Sequence, residues 1–290
     1  MRGLILAGGL GSRLWPITSS VSKPLLPVYD KPMIYYPLSV LLLAGIRNIL
    51  VISTPWDTPR FQHLLGDGSK WGIALSYAVQ TSPEGLAQAM IIGSEFIGNR
   101  PSALILGDNL FHGGSLEKSL QSAVLITRGA RILGYRVPDP ERYGVVTLDE
   151  AGQVCDLEEK PSAPKSSLAV TGLYFYDSTV SARARTLTPS ARGELEITDL
   201  NRTYLDDRSL GVEVLDPEMA WFDAGTCGAL IDAAKYMETV EKQQGRKVCC
   251  PEEICWRMGN IDDSQLERLA DEFKHNEYGT YLESLLKEKS

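Results

Sequence analysis

Two aspartates, a glycine-rich turn and a few cations are the residues best suited to chemistry in this sequence. Asp108 closes the apolar run SALILGD (Ser102 to Asp108), and Asp223 follows the apolar stretch MAWF. A carboxylate at the end of a buried strand stands where ligands of parallel α/β sheets gather. Two of them at one sheet mouth suit a hard cation and phosphate oxygens; either alone serves equally as a turn or helix cap. The first apolar run, GLILA (Gly3 to Ala7), leads into Gly8-Gly9-Leu10-Gly11-Ser12-Arg13-Leu14. Glycines after a first strand let backbone N–H groups come close to a phosphate or a base. The Gly-Lys-Ser/Thr of a P-loop is absent. Leu14 stands where the third Rossmann glycine belongs, although Asp30 falls about where a ribose-binding acid would stand. Arg13 and then Lys23 offer two cations to a triphosphate tail; the bland alternative is a plain tight turn. Gln80 carries both a donor and an acceptor, matching a pyrimidine edge, and Gly85 would let backbone approach that base. A solvated loop glutamine is the alternative.

These residues need elements to hold them. GLILA, NILVIST (Asn48 to Thr54), ALSYAVQ (Ala74 to Gln80) and SALILGD read as strands. Between them the patterns predict helices from about Pro32 to Ala44, from Asp57 to Gly66 and from Gly85 to Gly98. Asp57 is the expected N-cap of the second, with Pro59 in its first turn. This rhythm predicts an α/β fold with a mostly parallel sheet and helices on both faces. After about Tyr135 the character changes. Two short strands are expected around the turn Asp149 to Gly152, then strands Ala169 to Asp177 and Leu210 to Asp216, a mixed extension of the sheet able to hold a second substrate. From Thr226 the pattern is helical.

Composition sets bounds. The chain has 290 residues, 43% hydrophobic and 23% charged, with a net charge of -8. That balance argues against a nucleic-acid polymer as partner, which calls for a basic footprint, but not against a nucleotide. Five cysteines form no CxxC pair and three histidines complete no zinc pattern, so reduced thiols are expected. The N-terminus lacks a signal-peptide form. The longest apolar candidate, Met33 to Ile46, contains Tyr35, Tyr36, Pro37 and Ser39 and reads as a buried helix, not a membrane span. The expectation is a cytoplasmic protein with no membrane association.

The motifs LAGGLGSRLWPIT and SKPLLPVYDKPMIYYPL resemble the signature of the sugar-phosphate nucleotidyltransferase family. The likeness continues through QTSPEGLAQA, LILGDNLFHG, DPERYGVV, LEEKP, VTGLYFYD, SARGELEITDLN, AWFDAGT and CCPEEI, and so covers nearly all of the chain. It is nearest to the short-form members that make dTDP-glucose and pyrophosphate from dTTP and glucose 1-phosphate. The resemblance implies a Rossmann-like sheet, with a nucleotidyltransferase core over 1–225, a sugar-binding insertion at about 136–220 and a helical region over 226–290 packed on the core. It implies Mg²⁺ on Asp108 and Asp223, with Arg13, Lys23 and Lys160 completing the catalytic set. Leu6, Gly8, Gly9, Gly11, Ser12, Arg13, Gln80, Gly85 and Asp108 map to nucleotide binding. Tyr143, Gly144, Glu159, Lys160, Val170, Gly172 and Arg192 map to the sugar phosphate. Trp221 would either close the sugar pocket or pack in the core, and Asn109 would assist Asp108 by hydrogen bonding. Members of this length assemble as homotetramers.

The match has departures. Pro24 follows Lys23 where the family has Gln, Ala224 and Cys227 replace Thr and His after Asp223, and Ser12 replaces the commoner Thr. Pro24 removes a donor from the nucleotide region. Two rivals stand beside the thymidylyl reading: the same reaction with UTP, and a catalytically silent nucleotide-sugar sensor. An NAD-binding oxidoreductase fails on the glycine spacing.

Overall fold

A computed structural model describes residues 1–9 and 11–288. In chain order its strands are β1 (Arg2–Ala7), β2 (Pro27–Val28), β3 (Lys31–Pro32), β4 (Asn48–Ser53), β5 (Ala74–Val79), β6 (Ser102–Leu106), β7 (Asn109–His112), β8 (Ala130–Arg136), β9 (Gly144–Leu148), β10 (Val154–Glu159), β11 (Leu168–Tyr176), β12 (Leu210–Val214) and β13 (Ala220–Asp223). The helices are α1 (Tyr35–Leu43), α2 (Thr58–Leu65), α3 (Gln88–Ile92), α4 (Ser94–Ile97), α5 (Leu116–Val124), α6 (Val180–Ala184), α7 (Ile197–Asp206), α8 (Cys227–Gln244), α9 (Pro251–Arg257), α10 (Asp263–Glu272) and α11 (Glu277–Glu288).

The near-continuous apolar runs become the centre of a nine-stranded sheet, where both faces are covered. Its main path runs β10-β9-β11-β6-β1-β4-β5, and β8 and β12 join through β11. β1 pairs in parallel with β4 and β6, and β4 with β5. β11 then runs antiparallel to β6, which begins the mixed extension. The chain moves outward from β1 to β4 and β5, then crosses back to place β6 on β1's other side. That reversal opens a crevice at the carboxyl ends of β1 and β6, where ligands of such sheets collect.

One hydrophobic core lies on one face, joining Ile5, Val51 and Ile105 of the sheet to Leu38 of α1 and to Leu266, Leu282 and Leu285 of the C-terminal helices. A second core on the other side joins Leu4, Leu50 and Leu104 to Met90, Val180 and Leu200. A third fixes α8, through Ala233 and Met237, against Tyr36, Leu110 and Ala224. The helical region is therefore continuous in packing with the sheet. Among the described residues no helix is long and apolar enough to cross a membrane.

Several local expectations change. α1 starts at Tyr35 because Lys31–Pro32 pair with Pro27–Val28 as a small hairpin. Asp57 precedes α2, but its side chain does not cap it; the carboxylate instead accepts from Thr54 Oγ1 at 2.8 Å and from Arg60 Nη1 at 3.0 Å. The helix expected over 85–98 is two short ones. Gly85 and its neighbours are kept out of a helix by Ala87 N donating to Leu195 O (3.1 Å) and Leu195 N donating to Glu84 O (2.7 Å). Gly93, between the two helices, lies so close to the sheet that a Cβ there would fall 2.6 Å from Leu4 Cδ2. The strand ending at Leu106 is followed by a turn and by β7, which pairs antiparallel with β13 in a ribbon outside the main sheet.

Candidate active site

That ribbon carries the two aspartates. In its register Asp223 faces Asn109, and Ala224 N donates to Asp108 O at 3.1 Å, so both acids lie at one end of the ribbon over the crevice. Lys23 ion-pairs with Asp108. Burial pushes the Asp108 carboxyl up, but the Lys23 ammonium, its hydrogen bond and the Asn109 amide together outweigh this and hold it below the usual carboxylate range. Asp223 goes the other way: burial and then the charge of Asp108 raise it, against Lys23, Arg13 and Arg142. The bare Cα of Gly225 sits where Arg13 and Asp223 converge; a Cβ there would lie 3.0 Å from Arg13 Nη2 and 3.1 Å from Asp223 Oδ1.

Two clefts meet at this cluster. The first is lined by Leu6, Gly8, Gly9, Gly11, Ser12, Arg13, Lys23, Gln80, Gly85 and Asp108. Every residue assigned to the nucleotide from sequence thus lines one cavity. Gly9 and Gly11 have φ of 92° and 59°, a region open to glycine, so the turn needs both. Pro24 lines this cleft too, where a polar side chain was expected, and its carbonyl accepts from Ile34 N at 2.8 Å. Gly85 has φ 106°, and a Cβ on it would strike Leu195 O at 2.4 Å. Its freedom therefore serves the loop contact with Leu195 as well as the cleft wall.

The second cleft is lined by Tyr143, Gly144, Glu159, Lys160, Val170, Gly172 and Trp221, and shares Arg13 and Asp108 with the first and reaches Asp223. Lys160, at φ 45°, lies 3.3 Å from Glu159 Oε1. Arg192 is the one sugar-site expectation that does not line either cavity. Its guanidinium is held by Glu196 at 2.9 Å and stands 3.7 Å from Glu159 Oε1, so internal carboxylates take the charge expected to meet a phosphate.

Asn109 ties the clefts together. Its Nδ2 donates to Asp108 Oδ1 (3.0 Å), while its Oδ1 accepts from Gly172 N (2.9 Å) and Trp221 Nε1 (2.7 Å). Trp221 thus both walls the second cleft, 5.2 Å from the Tyr143 ring, and fixes an amide beside Asp108. Residues not singled out from sequence include Thr198, which donates to Glu159 Oε2 at 2.6 Å, and Arg142 and Glu194, which line the clefts. Arg142 and Glu194 lie inside the quoted motifs DPERYGVV and SARGELEITDLN, which was the available signal.

The donor set fits Mg²⁺. Asp223, raised by burial and by the charge of Asp108, is relieved by a hard dication, and Mg²⁺ is ordinarily held by one or two carboxylates with water and substrate phosphates. Among the described residues no cluster of three or more His, Cys, Asp or Glu could hold a metal ion by itself.

Known proteins resemble this chain along nearly its whole length. The Nucleotidyl transferase family matches residues 2–240. A glucose-1-phosphate thymidylyltransferase of Xanthomonas campestris pv. campestris (strain B100) is 58% identical over 286 residues, spanning 99% of this chain and 97% of that protein. A Bacillus anthracis crystal structure named for the same activity, in complex with a sucrose, superposes with a TM-score of 0.76 at 41% identity, covering 81% of this chain and 94% of that one. A UDP-glucose pyrophosphorylase complexed with UDP-glucose gives 0.71 at 25% identity, covering 82% and 98%.

Proposed function

Because this chain belongs to the nucleotidyl transferase family, and within it to the glucose-1-phosphate thymidylyltransferases, we propose that its paired clefts join dTTP to glucose 1-phosphate and release pyrophosphate. The observation that carries this reading is the meeting of a glycine-walled cleft and a cleft walled by Tyr143, Glu159, Lys160 and Trp221 at Asp108, Asp223, Arg13 and Lys23. The nucleotide lies in the first cleft, with its base towards Gln80 and its phosphates along Gly8 to Arg13. The sugar lies in the second, where Glu159 accepts from hydroxyls and Gly144 and Gly172 leave room for the ring.

Asp108 and Asp223 would hold Mg²⁺, which when bound supplies charge neutralisation across the phosphate oxygens. The sugar phosphate is already an anionic nucleophile, so the chain needs no serine, cysteine or general base. Its oxygen attacks the α-phosphorus in line. A new P–O bond forms, the bond from the α-phosphorus to its β-bridging oxygen breaks, and pyrophosphate leaves with the electron pair. Arg13 and Lys23 neutralise that leaving group, and Lys160 meets the sugar phosphate as a point charge. Arg192 joins them only by exchanging Glu196 for the incoming phosphate. The work is positioning and charge compensation.

UTP in place of dTTP is the second reading, favoured by the UDP-glucose pyrophosphorylase likeness. We also read the protein as a cytoplasmic homotetramer, as the resemblance to the short-form family members implies; sedimentation tests the assembly. The deciding experiment is pyrophosphate release from dTTP, UTP, CTP, ATP and GTP against several sugar 1-phosphates, with and without Mg²⁺. Release with dTTP and glucose 1-phosphate in Mg²⁺, well above the other pairs, is expected. Nucleotide binding with no turnover in any pair would overturn the enzyme in favour of a sensor.

A further inference from the structure

Gln80 stands at the base end of the nucleotide cleft, and a glutamine there reads either edge of a pyrimidine until something fixes which end of its amide faces in. The structure holds a chain of contacts that fixes it. Gln88, the first residue of α3, donates from Nε2 to Glu84 Oε2 at 2.8 Å, and its Oε1 accepts from Glu84 N at 3.2 Å. Neither Glu84 group can change roles: an ionised carboxylate only accepts, and a backbone N–H only donates. The orientation of the Gln88 amide is thus determined twice over by one residue. Its Oε1 is left pointing at Gln80, whose Nε2 donates to it at 2.6 Å. The amide of Gln80 then has one permitted orientation, with its oxygen on the side of Gly8. A Cβ at Gly8 would fall 2.3 Å from that oxygen, and both residues line the cleft. Gln80 Oε1 accepts no hydrogen bond from the described residues, whereas Gln80 itself is buried.

We infer that Glu84 and Gln88 form a polarity relay that makes Gln80 present an acceptor to the base, so that the cleft selects an imide edge. Thymine and uracil carry a donor at N3, which satisfies Gln80 Oε1. Cytosine carries an unprotonated acceptor at N3, which would leave two acceptors facing each other in a desolvated site. The relay therefore rejects cytosine without touching it, and it does not distinguish thymine from uracil, which share this edge. Glu84 and Gln88 are positioning residues, acting through Gln80. Glu84 is on an exposed loop held by the backbone bonds to Leu195, which keep both of its groups aimed at α3.

This rests on the reading that the first cleft takes a pyrimidine nucleoside triphosphate, and the test separates the two. Pyrophosphate release is measured with dTTP, UTP and dCTP for the full chain, for Gln88→Leu and for Gln88→Glu combined with Glu84→Gln, each checked for folding by its thermal melt. The wild type is expected to use dTTP or UTP and to discriminate against dCTP. Gln88→Leu removes the acceptor that holds Gln80, frees its amide to turn, and lowers the dTTP:dCTP ratio of kcat/KM by about tenfold or more, the scale set by one mismatched buried polar group. Gln88→Glu, made together with Glu84→Gln so that amide and carboxylate trade places across their 2.8 Å contact, still offers an acceptor to Gln80 Nε2 and keeps the ratio within about threefold of wild type, on the same reasoning. Should the leucine variant not fold, Gln88→Ala carries the same test. An unchanged ratio in Gln88→Leu overturns the relay, as does equal loss in the leucine and exchanged variants, which would mark a packing role. A wild type that prefers dCTP, or turns over no pyrimidine nucleotide, overturns the nucleotide reading itself.

Discussion

At the scale of single residues, the chemistry rests on how each acid is compensated. Asp108 ion-pairs with Lys23, whereas at Asp223 burial and the charge of Asp108 outweigh Lys23, Arg13 and Arg142, and the two carboxyls are driven apart accordingly. A third acid, Asp177, shows the same physics without a cation. Burial pushes its carboxyl up, yet hydrogen bonds from Thr179 Oγ1 (2.6 Å), Gly129 N (2.7 Å), Thr179 N (2.9 Å) and Tyr204 OH (3.2 Å) bring it below the usual value. Because the native value is depressed, this stabilisation is present above the unfolded value of about 3.9 and is lost as pH falls through the native one. Asp177→Asn places an amide donor against donors. It should lower unfolding free energy at pH 7 by about 1–3 kcal/mol and flatten the acid limb of the stability curve. Urea unfolding between pH 3 and pH 7 measures both.

At the scale of elements, the β7–β13 ribbon decides whether the site exists. Asn109 is the pin, joining Asp108, Gly172 on β11 and Trp221 on β13. A Cβ at Gly172 would fall 2.5 Å from Asn109 Cγ. Gly172→Ala should therefore displace that amide and cost at least about tenfold in kcat/KM, since small misplacements at a reacting centre are amplified. Its melting temperature should fall less than that of Asn109→Ala, which leaves the Gly172 N–H and the Trp221 indole without an acceptor. Parallel kinetics and thermal melts check the pair.

The ribbon also shows what could be read from sequence and what could not. β1, β4 and β6 were legible because strands buried on both faces need unbroken apolar runs. The glycine turn and Asp108 follow them directly, so the wall of the first cleft was legible with them. AWFD is too short and unalternating to declare itself a strand, and its hydrogen-bonded partner Asn109 is 112 residues from Trp221. The break of the expected helix at Gly93 and the uncapping role of Asp57 were set by contacts with Leu4 and Thr54, which local pattern does not record. The pairing of Arg192 with Glu196 was hidden for another reason: the same Arg serves an internal carboxylate or a phosphate with equal chemistry.

At the scale of the whole molecule, the C-terminal helices are built into the sheet's own core and cannot be treated as an appendage. Trp71 Nε1 donates to the buried Glu252 of α9 at 3.0 Å, and Leu266 and Leu282 share a cluster with Ile5. A buried charge network makes a second tie. Lys31 pairs with Asp30 and, at 2.9 Å, with Glu241 of α8, which also accepts from Val248 N at 2.8 Å. Removing one member of such a network leaves buried charge uncompensated. Lys31→Met should destabilise the fold by about 3 kcal/mol or more, read as a lower urea midpoint with an unchanged slope.

The central claim is that Asp108 and Asp223 together hold the cation under which one anion attacks another. Its most direct measurement is pyrophosphate release from dTTP and glucose 1-phosphate by the wild type, by the wild type in EDTA, and by Asp108→Asn and Asp223→Asn at saturating Mg²⁺. The account predicts turnover in the first case, none in EDTA, and a loss of at least about a hundredfold in each folded variant, the scale of a lost electrostatic anchor at a reacting centre. Wild-type rates in a folded Asp108→Asn or Asp223→Asn enzyme, still dependent on Mg²⁺, would contradict it.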